Sequence, residues 1–175
     1  MVKFINVPTG FDVSKLEYEL SAQTVNVAGP AEVMDNYSEL VVGYIDLKTL
    51  SLDSSYAFTV ELPTDFVNLD NVTAVSVNFD TSGMKQKTFY VKNLSVVNAP
   101  ANYDVSISTK SLRVTVIGPS SEVNEMTADD IVATVDISDQ EILTGEYKAP
   151  VKVAIPGRGT VWPYGDYSVS INVSQ

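Results

Sequence analysis

Along residues 22–29, AQTVNVAG, apolar and polar positions alternate up to a Gly-Pro pair, and SLRVTVIG at 111–118 repeats the pattern before a second one. A period of two turns every other side chain to one face, which predicts a half-buried β-strand in each place. YAFTVELP (56–63) and APVKVAIP (149–156) alternate in the same way. Pro63 and Pro156 close them, because proline has no N–H to continue a ladder. TAVSVNFD (73–80) and DYSVSINVS (166–174) are rich in the β-branched and aromatic residues that strands favour, and predict one further strand each. Between each Gly-Pro pair and the next apolar run lies a short helical candidate. Val33 and Tyr37 are spaced i, i+4 and Val123 and Met126 i, i+3, with Ser120 or Ser121 placed to cap the second helix.

These elements come twice, in the same order. PTGFDVS (8–14) falls on PANYDVS (100–106) at an offset of 92, and Gly29-Pro30 on Gly118-Pro119 at 89. VVGYIDL (41–47) falls on IVATVDI (131–137) at 90, FTVELP (58–63) on VKVAIP (151–156) at 93, and VSVNF (75–79) on VSINV (169–173) at 94. Five blocks whose offsets drift by a few residues describe a tandem duplication with small loop insertions. The expected fold is all-β or β-dominated, with one short helix per unit. Two similar domains of about 85 residues are expected, at 1–86 and 87–175, joined near GMKQKT (83–88).

Composition narrows the chemistry. Of 175 residues, 45% are hydrophobic and 19% charged, a globular balance. Twenty-two acids against 11 bases give a net charge of −11, which repels nucleic acid and anionic lipid surfaces. With no cysteine there is no disulfide, zinc-thiolate cluster or thiol nucleophile, and with no histidine a Ser-His-Asp site cannot be built. Paired carboxylates, a Ser-Lys arrangement or a carboxylate-bound hard cation remain. No stretch reaches the roughly 18 apolar residues of a membrane span. MVKFINVPTGF lacks the apolar core of a signal peptide. The chain is then either cytoplasmic or an excised soluble piece of a longer exported protein, and the strand-like runs at Met1 and Gln175 favour the excised piece.

The repeated residues read as structure. Gly-Pro fits a tight turn into a helix, with proline at or just before the first helical position. Asp46 and Asp136 stand before a last apolar residue and a polar turn, where a carboxylate caps nearby backbone N–H groups. DFVNLDN (65–71) gathers the oxygen donors Asp65, Asn68, Asp70 and Asn71, but without the spacing of a calcium loop and without a counterpart in the second unit. GRG at 157–159 is no phosphate-binding fingerprint, and no spacing singles out a catalytic pair of acids. No catalytic residue, metal site or cofactor is expected.

One stretch is not duplicated. RGTVWPYGDY (158–167) holds the only Trp of the chain and two of its nine Tyr beside an arginine. Arg158, Trp162 and Tyr164 are of the types that anchor protein interfaces, and form the candidate contact surface. The other reading is that Trp162 plugs the end of its own unit or the joint between units.

The repeating motifs resemble those of YbbR-like domains. The resemblance rests on VTVIGPSSEV, IVATVDI, TGEYKAPVKVAIP and YSVSINVS in the second unit, and on VNVAGPAEV, VGYIDL, FTVELP and VSVNFD in the first. The first unit departs from the pattern, reading LDSSYA where the second has the TGEY turn. The resemblance implies a small, mostly β domain with crossed hairpins and no catalytic residues. It implies a bacterial parent with an N-terminal transmembrane helix, absent here, followed by several such domains outside the cytoplasmic membrane. Some proteins of this family regulate a membrane diadenylate cyclase. The function it implies is thus a non-catalytic, extracytoplasmic protein-binding module with a protein partner, possible partners including such a cyclase. The alternative is a structural stalk or adhesin-like repeat of the cell surface.

Overall fold

The alternating segments become strands, and most pairings of the first half return in the second. The computed structural model describes residues 1–35, 37, 39–138 and 142–175. The first copy runs β1 (Val2–Ile5), β2 (Tyr18–Leu20), β3 (Val27–Ala28), α1 (Ala31–Met34), β4 (Gly43–Asp46), β5 (Tyr56–Thr59), β6 (Val67–Asn68) and β7 (Ala74–Phe79). The second begins with β8 (Met84–Val91). It continues through β9 (Leu94–Val97), β10 (Asp104–Ile107), β11 (Leu112–Pro119), α2 (Ser120–Glu125), β12 (Val132–Asp136), β13 (Gly145–Ala154), β14 (Trp162–Tyr164) and β15 (Tyr167–Ser174). The protein is β-dominated, with a short helix after each Gly-Pro pair, as the patterning predicts.

The pairings repeat as the sequence does. In the first copy β7 lies between β2 and β5, antiparallel to both, and in the second β15 lies between β10 and β13. The parallel pair β1–β4 returns as β9–β12, with Ile5 opposite Asp46 and Val97 opposite Asp136. The antiparallel pair β3–β6 returns as β11–β14, with Ala28 opposite Val67 and Ile117 opposite Trp162. The second copy adds two pairings: β12 with β13, which makes one five-stranded sheet there, and a partner for β11 in strand β8. That strand pairs antiparallel with β11 along its whole length, Leu112 opposite Val91 through Pro119 opposite Met84. The segment expected to join the units is therefore a strand of the second sheet system, and the 86/87 position falls inside it.

Three local expectations change. AQTVNVAG predicts a strand as long as SLRVTVIG, yet only Val27 and Ala28 pair, while all of Leu112–Pro119 does. The difference lies in the partner: a strand exists only where a neighbour completes its ladder, and β8 serves β11 alone. The expected caps Ser120 and Ser121 are instead the first two residues of α2, with Pro119 before them and no side-chain cap. Tyr37 lies beyond α1 and is half exposed, whereas Val123 and Met126 are buried as their spacing predicts.

The two cores are unequal. The second unit buries seventeen residues in one cluster, among them Phe89 and Val91 of β8, Val114 and Val116 of β11, and Val169, Ile171 and Val173 of β15. The first unit's cluster contains its own Val2, Ile45, Leu47, Leu50 and Val77, and is completed by Ile117 and Trp162 of the second. Aromatic rings fill out the smaller core: Phe4 meets Tyr18 edge-on at 5.7 Å, and Tyr18 leans on Phe79 at 5.8 Å. Each fully buried large apolar side chain stabilises by about 1.5–3 kcal/mol, so the shared residues matter most to the unit with fewer of its own.

Candidate functional site: the aromatic joint and the open face of the first unit

The candidate contact residues lie at the meeting of the two units. Trp162 begins β14 opposite Ile117, and its side chain is turned into the first unit, where it is only 2% exposed. Its indole N–H donates to the Leu50 carbonyl at 3.2 Å, and Phe11 stands edge-on to the ring at 5.6 Å. Around it the Asp12 N–H donates to the Gly159 carbonyl at 2.7 Å and the Gly165 N–H to the Lys48 carbonyl at 2.8 Å, while Lys48 Nζ pairs with Asp166 at 2.7 Å. Tyr164 and Arg158 are half-buried. Arg158 adds to the lowering of the Asp130 pKa, which comes first from the Thr127 N–H. The indole thus holds the two units of the chain together, and an outside partner cannot reach it without opening the joint.

The repeated aspartates end their strands as a pair of clasps. Asp46 Oδ1 accepts the Lys48 N–H at 2.9 Å and Asp136 Oδ1 the Ser138 N–H at 3.1 Å. Each also accepts a side-chain amide from an asparagine just past the parallel neighbour strand, Asn6 at 2.8 Å and Asn98 at 2.9 Å. Both asparagines have left-handed backbones, φ 52° and 58°, which asparagine tolerates better than most residues. Sequence reasoning passed over this pair, although Asn6 and Asn98 share the offset of the neighbouring Pro8 and Pro100.

The second clasp is the more strongly charged one. The Asn98 amide, the Ser138 hydroxyl and N–H, and Lys152 Nζ at 3.2 Å hold the Asp136 carboxyl well below the usual carboxylate range. A depressed folded-state pKa contributes stability above the ordinary aspartate pKa of about 3.9, and loses it as pH falls toward the folded value. Asp136→Asn is therefore expected to be less stable than the parent near neutral pH and to lose less on acidification. Urea unfolding across the acid range checks this, and parallel curves for the two proteins would contradict it.

Away from the joint, the first unit has an open apolar face. A cavity of about 370 Å³ is lined by Leu20, Val25, Val27, Leu40, Leu62 and Phe66 among others. Met1 and Tyr37 line it and are 45% and 50% exposed. Val25 and Val27 stand four and two residues before Gly29, as Val114 and Val116 stand before Gly118; the latter two are fully buried and the former only half. Of the four oxygen-donor residues of 65–71, Asp70 and Asn68 bond backbone groups. Asp70 accepts the Asn26 N–H at 2.7 Å, the main cause of its lowered pKa, and Asn68 Nδ2 donates to the Val72 carbonyl at 2.8 Å. Among the described residues no three acids converge in a way that could hold a metal ion.

Comparison with known proteins found no matching family model and no matching curated protein. Three solved structures are similar. One is a YbbR-like domain from Listeria monocytogenes, 18% identical, covering 51% of this chain and 93% of that one, with a TM-score of 0.40. The second is a YbbR-like protein from Streptococcus pneumoniae, 15% identical, covering 52% of this chain and 47% of that one, with a TM-score of 0.37. The third is a YbbR family protein from Desulfitobacterium hafniense, 23% identical, covering 52% of this chain and 96% of that one, with a TM-score of 0.36. All three carry the family name that the repeated motifs suggest, and each likeness extends over about half of this chain.

Proposed function

We propose that the chain is a non-catalytic protein-binding module, held outside the cytoplasmic membrane by a membrane-anchored bacterial protein, and that it regulates a diadenylate cyclase of that membrane. The observation that carries the binding role is the apolar face around Met1, Tyr37 and Phe66, open over a cavity of about 370 Å³. Contiguous exposed apolar surface with a polar rim is characteristic of protein docking sites. Acidic residues flank it in the sequence, Glu39, Glu61, Asp65 and Asp70, and with the net charge of −11 they disfavour an anionic bilayer as its partner. Among the described residues no helix is long and apolar enough to cross a membrane, so in this reading the anchor lies elsewhere in the parent protein. The cyclase rests on the family resemblance.

The test is to add the purified chain to membranes that contain a diadenylate cyclase and to follow both co-sedimentation and cyclic di-AMP production. Binding and a changed rate are expected with the parent chain, and a loss of binding on the order of tenfold with Val25→Asp/Tyr37→Asp, a size typical of losing interface anchors. Unchanged cyclase output with no retention of the chain would remove the regulatory reading. A second reading, the stalk or adhesin-like repeat, is favoured by the joint, where the units share Ile117 and Trp162 in one core as a load-carrying array would.

A further inference from the structure

The duplication provides its own comparison for the open face, because β8 of the second unit has no counterpart among the described residues of the first. In the second unit β8 lies along β11, and four of its side chains alternate on the inner side: Lys85, Lys87, Phe89 and Val91. Phe89 and Val91 enter the core. Lys87 Nζ sits 4.6 Å over the Phe89 ring and donates to the carbonyls of Val123 and Met126, and Lys85 Nζ donates to Asn124 Oδ1 at 2.6 Å. In the first unit residues 22–28 have the same alternation, but Val27 and Ala28 pair only with β6, and among the described residues no strand takes the other edge. The cavity is lined by Val25, Val27, Leu62 and Val75, and the residues at the repeated positions of the second unit, Val114, Val116, Ile155 and Val169, share a core cluster with Phe89 and Val91 of β8.

We infer that this edge accepts an extended polypeptide strand, antiparallel to residues 22–28, with lysines at two successive inner positions followed by an aromatic and then an aliphatic residue. The inference rests on reading the open face as a protein-binding site, and it names the element that binds there. Backbone ladder bonds supply affinity, and the pockets for alternate side chains supply selectivity. The register follows from the second unit: the aromatic residue faces Val25 as Phe89 faces Val114. The charge also fits. Asp35 stands five residues past Pro30, as Asn124 stands five past Pro119, so the lysine equivalent to Lys85 meets a carboxylate in place of an amide. Residues 1–83 hold Lys3, Lys15 and Lys48 as their only basic side chains against twelve acids.

A graft tests this in the whole chain. A second copy of residues 84–93 placed directly before Val2, replacing Met1, reproduces the spacing of β8 to β9, since Val2 and Leu94 hold equivalent positions in the parallel pairs. Tethering removes the concentration limit of a free peptide. The expected result is a Tm higher by about 5 °C and amide exchange in residues 22–28 slowed at least about tenfold. The same graft with Phe89→Asp and Val91→Asp in the added copy only should leave both at the ungrafted values. If the grafted strand seats but the ungrafted chain neither binds nor modulates the cyclase, the strand inference stands and the regulatory reading falls. If the chain binds the cyclase and the two grafts behave alike, the regulatory reading stands and the strand inference is overturned.

Discussion

Trp162→Ala is expected to cost about 3–5 kcal/mol, the range for deleting a large buried aromatic, and to destabilise the first unit more than the second. The indole is 2% exposed, bonds the Leu50 carbonyl and packs on Phe11, so its loss leaves a cavity and an unpaired carbonyl inside the joint. The first unit feels this most because its core cluster has five buried residues of its own beside Ile117 and Trp162. Calorimetry should resolve an early transition in the variant, and the amides of Val2, Ile45 and Leu47 should lose exchange protection before those of β11 and β15. A single transition within about 1 kcal/mol of the parent would show that the ring is dispensable, since that is the effect of an ordinary mild substitution.

Gly118→Ala is expected to destabilise by about 1–3 kcal/mol, while Gly29→Ala, at the duplicated position, stays within about 0.5 kcal/mol of the parent. A Cβ at Gly118 would lie 2.7 Å from Val161 Cγ2 and 3.1 Å from its Cα, and Val161 is buried, so backbone must move. A Cβ at Gly29 would meet only the Phe66 ring, at 3.3 Å. That ring is half-buried at the edge of the cavity and has room to turn. Replacing glycine also narrows the unfolded ensemble, which offsets the small remaining contact at Gly29. Urea unfolding of the two variants checks the contrast. Equal losses would mean that the first unit is as tightly packed at this turn as the second, and the open face would then be filled by rearrangement in solution.

The contrast also marks how far the residues could be read before the fold was seen. Gly29-Pro30 and Gly118-Pro119 are identical in the sequence, and both make the turn into a short helix that proline chemistry predicts. Asp46 and Asp136 cap the backbone as their place before a polar turn suggests, but their asparagine partners lie about 40 residues away and join them only through the parallel pairing of β1 with β4 and β9 with β12. Trp162 was legible as an anchor by residue type. Which body it anchors was not, because that depends on where Leu50 and Phe11 of the other unit come to lie.

From the residues alone one could read the repeated motifs, the β-dominated class, the helices after each Gly-Pro pair and the capping role of the two aspartates. All of these follow from local periodicity, proline and glycine geometry, or side chains that bond within a few residues. The tertiary structure decided what depends on a distant partner. AQTVNVAG and SLRVTVIG have the same alternation, yet eight residues of one region form a strand and two of the other do, because a ladder needs a neighbour and only β11 has β8. Alternation determines which side of a segment is apolar. Whether another strand covers that side is settled by chain topology, and among the described residues none covers it in the first unit.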